Sequence, residues 1–223
     1  MNNISFALYG KDPKYVEGLY RNIDLAEEYY PGWRVVVFLD TFTTDPAVRR
    51  RLQSMGVGVI EGHVNGPPAM KRGARVLAIL ADDPDACIFR DTDSRINPRE
   101  AAAVADWLAS DKTMHVMRDH EHHCCHPISA GMWGLKRTDK LPRLLDDFLE
   151  WEHWEGTFHL WDDTHTDEAF LFWHVWRALE DDVMQHCHPI RCAVAYERFA
   201  GCQPFPPHQP YAGFVGEVIQ CEN

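Results

Sequence analysis

The feature that most constrains the fold is an alternation of short apolar runs with helix-start signals in the first part of the chain. Four runs have the length and composition of buried strands. They cover residues 4–8, 33–39, 57–60 and 86–89. Between them, Asp12-Pro13 and Asp45-Pro46 each place a capping carboxylate before a proline, which is typical of a helix start. This alternation predicts a parallel sheet with helices on both faces.

The elements predicted for the rest of the chain follow a less regular order. Helices are predicted at residues 68–80, 97–110, 141–154 and 166–180. Strands are predicted at residues 115–117, 131–135, 183–185 and 213–219. At the start of the second of these helices, Asn97 is the expected cap and Glu100 the expected capping-box residue. No internal repeat interrupts the sequence, so a single α/β domain over residues 1–223 is predicted.

The net charge limits the binding partners that can be expected, and the cysteine content indicates the cellular compartment. The formal net charge of −12 argues against long-range attraction to nucleic acids or to an anionic membrane surface. No apolar run approaches the roughly 20 residues that span a bilayer, so no transmembrane segment is expected. An odd number of cysteines, 7, without a secretory signal predicts free thiols in the cytoplasm.

Asp91 and Asp93 directly follow the fourth predicted strand. Ligands of open α/β sheets bind beyond the carboxyl ends of the strands. Two carboxylates separated by one residue can share one Mg²⁺ or Mn²⁺, because these hard cations prefer oxygen ligands. Asp83 and Asp85 have the same spacing but precede the strand, so we expect them to form a solvated turn. The alternative is that Asp91 and Asp93 cap a loop beside Arg90 and Arg95, but their position after the strand favours the metal site.

Histidines and cysteines crowd one short segment, which contains His120, His122, His123, Cys124, Cys125 and His126. Structural zinc sites usually draw their ligands from two separated pairs. The sequence offers no second pair at a matching spacing. We therefore interpret this segment as a loop near an active site rather than as a structural zinc site.

Several ordered segments resemble a family of small bacterial and viral glycosyltransferases with the GT-A fold. These segments are residues 9–10, 30–33, 90–95 (RDTDSR), 99–100, 117–120 (MRDH) and 130–134 (AGMWG). The resemblance covers most of the chain and weakens after Cys187. Two departures lie where an acceptor is expected: Ala130 replaces the usual glycine, and the His/Cys-rich segment 121–126 is unusual.

The resemblance implies a GT-A-like (Rossmann-like) single domain, with a nucleotide-sugar-binding half at residues 1–95 and an acceptor-binding half at residues 96–223. It implies a metal-dependent glycosyltransferase that moves a sugar from a UDP- or GDP-linked donor to a hydroxyl of a glycan or another acceptor. The implied cofactor is Mn²⁺ or Mg²⁺, which would hold two phosphate oxygens and neutralise charge on the departing diphosphate.

The resemblance also implies roles for residues on the donor side. The run Tyr9-Gly10-Lys11 is expected to hold the nucleotide where the first strand ends. Arg72 and Arg75 are expected to offer charge to phosphate, although an exposed helix face would explain them equally well. Arg95 is expected to contact phosphate or, slightly favoured, to brace the two aspartates.

The third metal ligand in this fold is expected from near the C-terminus. With Asp91 and Asp93 as the first two ligands, His208 is the predicted third. His186 and His188 compete with it, and each of the three is equally consistent with a structural role.

An inverting enzyme needs a general base near the acceptor hydroxyl. Asp167 and Glu168 open a predicted helix, where acids are also favoured by the helix dipole and capping alone. The resemblance favours Asp167 as this base or as an acceptor-binding residue. Asp119 with His120 competes with Asp167 for this role. Trp133 is expected either to face a sugar ring or to pack in the core.

Two further classes of function compete with a glycosyltransferase. A sugar-nucleotide nucleotidyltransferase has a similar sheet, but it usually carries a glycine-rich loop after the first strand, where this chain has only Tyr9-Gly10-Lys11. The second class is a non-catalytic module that binds a nucleotide sugar without turnover.

Overall fold

The structure is a computed structural model that describes residues 1–64, 68–80, 83–124, 126–151 and 166–219. Its strands are β1 (Asn3–Leu8), β2 (Arg34–Asp40), β3 (Gly58–Gly62), β4 (Ala86–Arg90), β5 (Met114–Arg118), β6 (Met132–Lys136), β7 (Val183–Cys187) and β8 (Cys202–Gln203). Within the described residues they form one eight-stranded sheet in the order β3-β2-β1-β4-β6-β5-β7-β8. Strand β6 is antiparallel to β4 and β5, and the remaining pairs are parallel. The predicted α/β fold with a mostly parallel sheet is confirmed.

Helices cover both faces of this sheet. The α-helices of the described part are α1 (Pro13–Tyr29), α2 (Pro46–Ser54), α3 (Pro68–Gly73), α4 (Pro98–Ala109), α5 (Leu144–Trp151), α6 (Thr166–Leu171), α7 (Arg177–Leu179) and α8 (Ala193–Arg198). Residues Ala74–Leu80 and Glu121–Cys124 are 3₁₀ helices, and Phe172–Trp176 is π-helical. None of the helices described combines the length and the apolar character that crossing a membrane requires.

The alternation of side chains along β2 shows why the strands are apolar throughout. Val35 and Val37 pack with residues of α1, α2 and α4 on one face. Val36 and Phe38 pack on the opposite face with the 3₁₀ helix Ala74–Leu80, α5 and α6. Because both faces are buried, the strand has no solvent side, and its sequence is a continuous apolar run.

The predicted helix starts are confirmed with one correction. Asp12 and Asp45 each accept a hydrogen bond from a backbone N–H of the first helical turn. Asn97 caps α4 in the same way. Glu100, however, does not serve as a capping-box side chain but turns into the core, where it accepts hydrogen bonds from Arg90 (2.9 Å) and from the Tyr30 hydroxyl (3.1 Å). A buried cation beside α4 therefore determines the position of this carboxylate.

Three predicted elements differ from those observed. The helix expected at residues 68–80 becomes 3₁₀ after Gly73, where a side chain of β1 binds its backbone: Ser5 Oγ donates to the Arg75 carbonyl oxygen at 2.6 Å. The helix expected at 141–154 begins at Leu144, and residues 152–154, like Cys125, lie outside the described residues. The strand expected at 213–219 is a loop, whose Val215 N–H donates to the Asp119 carboxylate.

The sheet places the ends of its first strands at one edge. Strands β1, β2 and β4 are parallel to one another and adjacent, with β1 in the middle, so their carboxyl ends lie together. Tyr9 follows β1 and Asp91 follows β4 at this edge. Asp85, in contrast, precedes β4 at the opposite edge.

Candidate functional site

A cavity of about 340 Å³ opens at the carboxyl edge of β1 and β4. This volume lies within the range of roughly 300–1,000 Å³ that small-molecule sites occupy. The polar residues that line it are Tyr9, Tyr15, Arg72, Arg75, Asp91, Thr92, Asp93, His122, His123, Ser129, Asp167 and Glu168. The sequence-predicted Tyr9, Arg72, Asp91, Asp93 and Asp167 are therefore brought together in one place.

Each member of the acidic pair is matched by a basic side chain. Arg75 Nη1 lies 2.7 Å from Asp91 Oδ1, and Lys14 Nζ lies 2.8 Å from Asp93 Oδ2. Burial would raise the pKa of the Asp91 carboxyl, but the positive charge of Arg75 outweighs it and holds this pKa below its ordinary value. Asp91 is thus kept as a carboxylate, and each ion pair engages one carboxylate oxygen and leaves the second for a further partner.

Helix α1 fixes the loop that carries the acidic pair. The buried Asn22 amide donates to the carbonyl oxygens of Thr92 (3.4 Å) and Ser94 (2.9 Å) and accepts from the Ile96 N–H (3.0 Å). Gly18 allows the close approach, because a Cβ there would lie 2.1 Å from the Thr92 carbonyl oxygen. The loop is therefore held by its backbone, which leaves its carboxylates to face the cavity.

Gly131, immediately before β6, leaves the space that the Asp91 carboxylate occupies. A Cβ at this position would lie 1.9 Å from Asp91 Oδ2, a separation that no carbon and oxygen atoms can adopt without bonding. The absence of a side chain at Gly131 is thus a condition for the observed position of the carboxylate. The neighbouring Ala130 contributes its carbonyl oxygen, which accepts a hydrogen bond from Arg75 at 3.3 Å.

Helix α6 supplies a second pair of carboxylates. Arg72 Nε lies 3.3 Å from Asp167 Oδ2, and His126 Nε2 lies 3.3 Å from Glu168 Oε2. Arg72 also lies near Tyr9: burial raises the pKa of the Tyr9 phenol, and the charge of Arg72 opposes this rise. An exposed helix face does not explain Arg75, which is 3% exposed, and Arg72 is part-buried in the cavity wall.

Three residues predicted for the donor side, Gly10, Lys11 and Arg95, are not among those that line the cavity. Lys11 is exposed beyond Gly10, whose N–H donates to Thr43 Oγ1. Arg95 points to the backbone and donates to the carbonyl oxygens of Thr92 (3.3 Å) and Ser94 (2.7 Å), so its contacts fit the bracing role.

His208, the predicted third metal ligand, lies elsewhere. Its Nε2 accepts a hydrogen bond from Arg99 Nε at 3.1 Å, and its Nδ1 lies 2.8 Å from the Pro206 carbonyl oxygen. Both ring nitrogens are therefore engaged, so the structure does not offer this side chain to the acidic pair. Its competitor His186 is likewise engaged, by His115 and Asp106.

Asp119 and Trp133, which were candidates for the acceptor side, both lie in the interior. Asp119 is fully buried and forms an ion pair with Arg99 at 2.7 Å, away from the cavity. Trp133 is fully buried and stacks on Phe89 with ring centroids 4.0 Å apart. Trp133 therefore packs in the core, and the idea that it faces a sugar ring is wrong.

The competing acidic pair lies on the surface. Asp83 is 80% exposed and Asp85 is 69% exposed, and both contact the Arg137 guanidinium. The prediction of a solvated turn before β4 is thus confirmed for these two residues.

The sequence did not predict that Lys14 pairs with Asp93, or that His122 and His123 individually line the cavity. Lys14 lies in the first turn of α1, shortly after the predicted Lys11. Burial and the neighbouring His120 and His122 lower the pKa of His123 to about 4, so this cavity side chain is neutral near pH 7. The expectation that the His/Cys-rich segment lies near the site fits this position.

The donor atoms of the site fit a hard divalent cation. Asp91 and Asp93 each have a carboxylate oxygen outside their ion pairs, and Gly131 leaves space beside Asp91 Oδ2. Among the described residues, no group of three or more His, Cys, Asp or Glu side chains converges as a complete metal site. Mg²⁺ is commonly held by one or two carboxylates together with substrate phosphates, which matches a two-carboxylate set.

Comparisons with known proteins concern the fold. No protein-family model matches the chain. Glucosyl-3-phosphoglycerate synthase from Mycobacterium tuberculosis, in complex with Mn²⁺, UDP and glucosyl-3-phosphoglycerate, has a TM-score of 0.52 at 15% identity, over 83% of this chain and 68% of that chain. TarS 1–349 from S. aureus has a TM-score of 0.52 at 14% identity, over 82% of this chain and 57% of that chain.

A further similar structure is the mannosyltransferase PcManGT from Pyrobaculum calidifontis in complex with GDP-Man and Mn²⁺, with a TM-score of 0.48 at 19% identity. The match covers 64% of this chain, which spans 46% of the length of that enzyme. At such identities the likeness is one of fold. The chain has the GT-A-like α/β fold that its sequence predicts.

Proposed function

We propose that the chain is a metal-dependent glycosyltransferase that moves a sugar from a UDP- or GDP-linked donor to an acceptor hydroxyl. The observation that carries this proposal is the pair Asp91 and Asp93 at the carboxyl end of β4, facing a cavity beside three basic side chains. A sugar nucleotide carries a pyrophosphate. A chain with a formal net charge of −12 can hold it only through such a local positive cluster or a bound cation.

In this proposal Asp91 and Asp93 hold Mn²⁺ or Mg²⁺. When bound, the cation supplies positive charge to the departing diphosphate. Lys14 and Arg72 lie beside the acidic residues and donate charge-assisted hydrogen bonds to phosphate oxygens when the donor enters. Asn22 and Gly131 act as positioning residues, because they fix the backbone and the space on which the carboxylates depend.

Asp167 is the proposed acceptor-side residue, as general base or as a hydrogen-bond acceptor for the acceptor hydroxyl. Its support is its place in the cavity wall together with the contact from Arg72, which orients the carboxylate. Tyr9, at the end of β1, is proposed to contact the nucleotide. The acceptor is proposed to be a glycan or another hydroxyl-bearing molecule that reaches the cavity past His122 and His123.

The first test is a thermal-shift panel of UDP, GDP and their sugar conjugates, with and without Mn²⁺. A ligand that binds the native state raises its melting temperature by mass action, so the proposal predicts a shift that needs both nucleotide and metal. The selected donor is then followed by chromatography for hydrolysis or transfer. Pyrophosphate release from a nucleoside triphosphate would indicate a nucleotidyltransferase instead, and tight binding without turnover on any acceptor would indicate a non-catalytic module.

A further inference from the structure

Four thiols lie together at the β7–β8 end of the sheet. Cys124, Cys187 and Cys192 are buried in one cluster, and the half-buried Cys202 packs against it. None of these cysteines lines the cavity at Asp91. The proposed transfer reaction gives this cluster no role.

The register of the last two strands places two of these thiols on the same face of the sheet. Strand β7 pairs in parallel with β8, and Gln185 is the partner of Cys202. Side chains two residues apart on a strand point to the same face, so Cys187 shares the face of Gln185. The backbone therefore places Cys187 and Cys202 on one face, and their sulfur atoms lie 2.8 Å apart.

The remaining two thiols are engaged differently. Cys124 and Cys192 both donate to the carbonyl oxygen of His120, at 3.6 Å and 3.2 Å. The hydrogen bond from Cys192 ties the start of the Glu121–Cys124 helix to the segment before α8. The cluster thus consists of one pair in direct sulfur–sulfur contact and one pair that shares a backbone acceptor.

We propose that Cys187 and Cys202 are a redox modification site, which forms a reversible disulfide with a low-molecular-weight disulfide such as oxidised glutathione as the oxidant. This site is independent of the proposed transferase activity.

Cys202 and Cys187 differ in exposure, and disulfide exchange requires one thiol that the small disulfide can reach. Cys202 is half-buried and reachable, whereas Cys187 is fully buried. The hydrogen bond from Cys187 lowers the pKa of the Cys202 thiol; burial opposes this effect and the charge of Arg118 supports it. Arg118 Nη1 lies 3.6 Å from Cys187 Sγ, so a cation stands beside the pair. A thiolate is the attacking form in disulfide exchange, which identifies Cys202 as the first nucleophile.

The exchange balances in two steps. The Cys202 thiolate attacks one sulfur of the oxidised glutathione, the glutathione S–S bond breaks, and one glutathione thiolate leaves. Cys187 then gives its proton to the released glutathione thiolate and attacks the Cys202 sulfur of the mixed disulfide, which expels the second glutathione as a thiolate. Two protein thiols and one small disulfide thereby give one protein disulfide and two small thiols.

The test uses the full chain, reduced and then incubated with oxidised glutathione, alkylated and digested with trypsin. Arg191 and Arg198 separate Cys187, Cys192 and Cys202 into three peptides, and fragmentation distinguishes Cys202 from Cys221 in the last peptide. The proposal predicts a Cys187–Cys202 crosslink, two fewer alkylated thiols, and full reversal by dithiothreitol. Cys202→Ala abolishes the crosslink, and the matched control Cys192→Ala retains it.

Three outcomes would overturn the proposal. The first is that Cys187 and Cys202 are both fully alkylated in denaturant after incubation with oxidised glutathione, under incubation conditions in which the protein remains folded by circular dichroism. The second is a crosslink between Cys124 and Cys192 in place of the predicted one. The third is one equivalent of zinc that copurifies with the chain and is lost in Cys202→Ala, because thiolates that hold a cation are then a metal site rather than a redox pair.

Discussion

Two acidic pairs with the same spacing flank strand β4, and they differ in almost every further respect. Asp83 and Asp85 precede the strand and form exposed ion pairs with Arg137. Asp91 and Asp93 follow it and face a cavity, each beside a basic residue that is itself largely buried. The difference teaches that the place of a carboxylate in the sheet, rather than the spacing of the motif, determines the surroundings of that carboxylate.

The contrast has a simple physical origin. At the carboxyl edge, α1 passes close to the loop after β4 and Asn22 holds its backbone, while Gly131 of the antiparallel neighbour leaves room for a carboxylate. The turn at the opposite edge is tied at its surface by Arg137 and by the N-terminal amine, which lies 2.5 Å from Asp85 Oδ2. Substitutions at each edge of the sheet can show whether the two acidic pairs differ in their contribution to metal binding and to stability.

The largest effect is expected from Gly131→Ala. The new Cβ would overlap with Asp91 Oδ2, so the carboxylate must move, and we expect Mn²⁺ affinity to fall by about 100-fold, the upper end of what changes around metal ligands cost. Ala130→Gly is the matched control. It introduces the glycine that is usual at this position in the glycosyltransferase family that the sequence resembles, and it should keep the wild-type Mn²⁺ affinity. Calorimetric titration with Mn²⁺ measures both. Equal Mn²⁺ affinities for the two variants would contradict the claim that the missing side chain at Gly131 determines the position of the Asp91 carboxylate.

Lys14→Met tests the basic side chain that the sequence reasoning missed. We expect the affinity for the donor nucleotide to fall by about 10- to 100-fold, because a hydrogen bond to a charged group contributes about 1.5–3 kcal/mol. Mn²⁺ binding without nucleotide should not weaken, since Lys14 neutralises Asp93 rather than supporting the cation. Lys11→Met is the matched control on the exposed residue and should leave donor affinity unchanged. The reverse result would favour Lys11 as the phosphate-binding residue.

Asn22→Ala removes the side chain that holds the acidic loop without touching the cavity. Carbonyl and N–H groups of residues 92, 94 and 96 lose their partner, so we expect unfolding free energy to fall by about 1–3 kcal/mol. Mn²⁺ affinity should fall by roughly tenfold, as is usual for contacts that support a metal ligand. Urea denaturation and metal titration report the two effects. Arg21→Ala, on the exposed face of α1, is the control, and an equal loss there would show that the helix rather than Asn22 matters.

The smallest effect is expected from Arg137→Ala, which removes the partner of the exposed pair. Surface ion pairs contribute less than about 1 kcal/mol, so the unfolding free energy should change little and metal affinity should not change. A loss of Mn²⁺ binding in this variant would show that the two edges of β4 are coupled.

Much of the fold followed from the sequence, because its signals are local. The apolar runs of β1, β2 and β4 and the caps at Asp12, Asp45 and Asn97 act within a few residues. The failures involve distant partners. The 3₁₀ turn after Gly73 depends on Ser5 of another strand, and Glu100 is drawn into the core by Arg90.

The candidate site also combines residues that local sequence predicts with residues whose contacts depend on distant partners. Asp91 was predictable because it follows a strand directly, and chain order alone then identifies the edge of the sheet. The ion pair of Lys14 with Asp93 was not predictable from the sequence. It depends on the packing of α1 against the loop after β4, where Gly18 allows the close approach. The contact of His208 with Arg99 was not predictable, because a C-terminal histidine gives no sign in the sequence of its partner in the fold.

The most direct test of the central claim is an Mn²⁺ titration, in the presence of the selected nucleotide, of two double variants with equal changes in charge. Asp91→Asn with Asp93→Asn should lose measurable Mn²⁺ binding and donor turnover. Asp83→Asn with Asp85→Asn should bind Mn²⁺ and turn over donor as the wild type does. Retention of full binding and rate by the first variant, or their loss in the second, would contradict the assignment of the metal site to the carboxyl edge of β4.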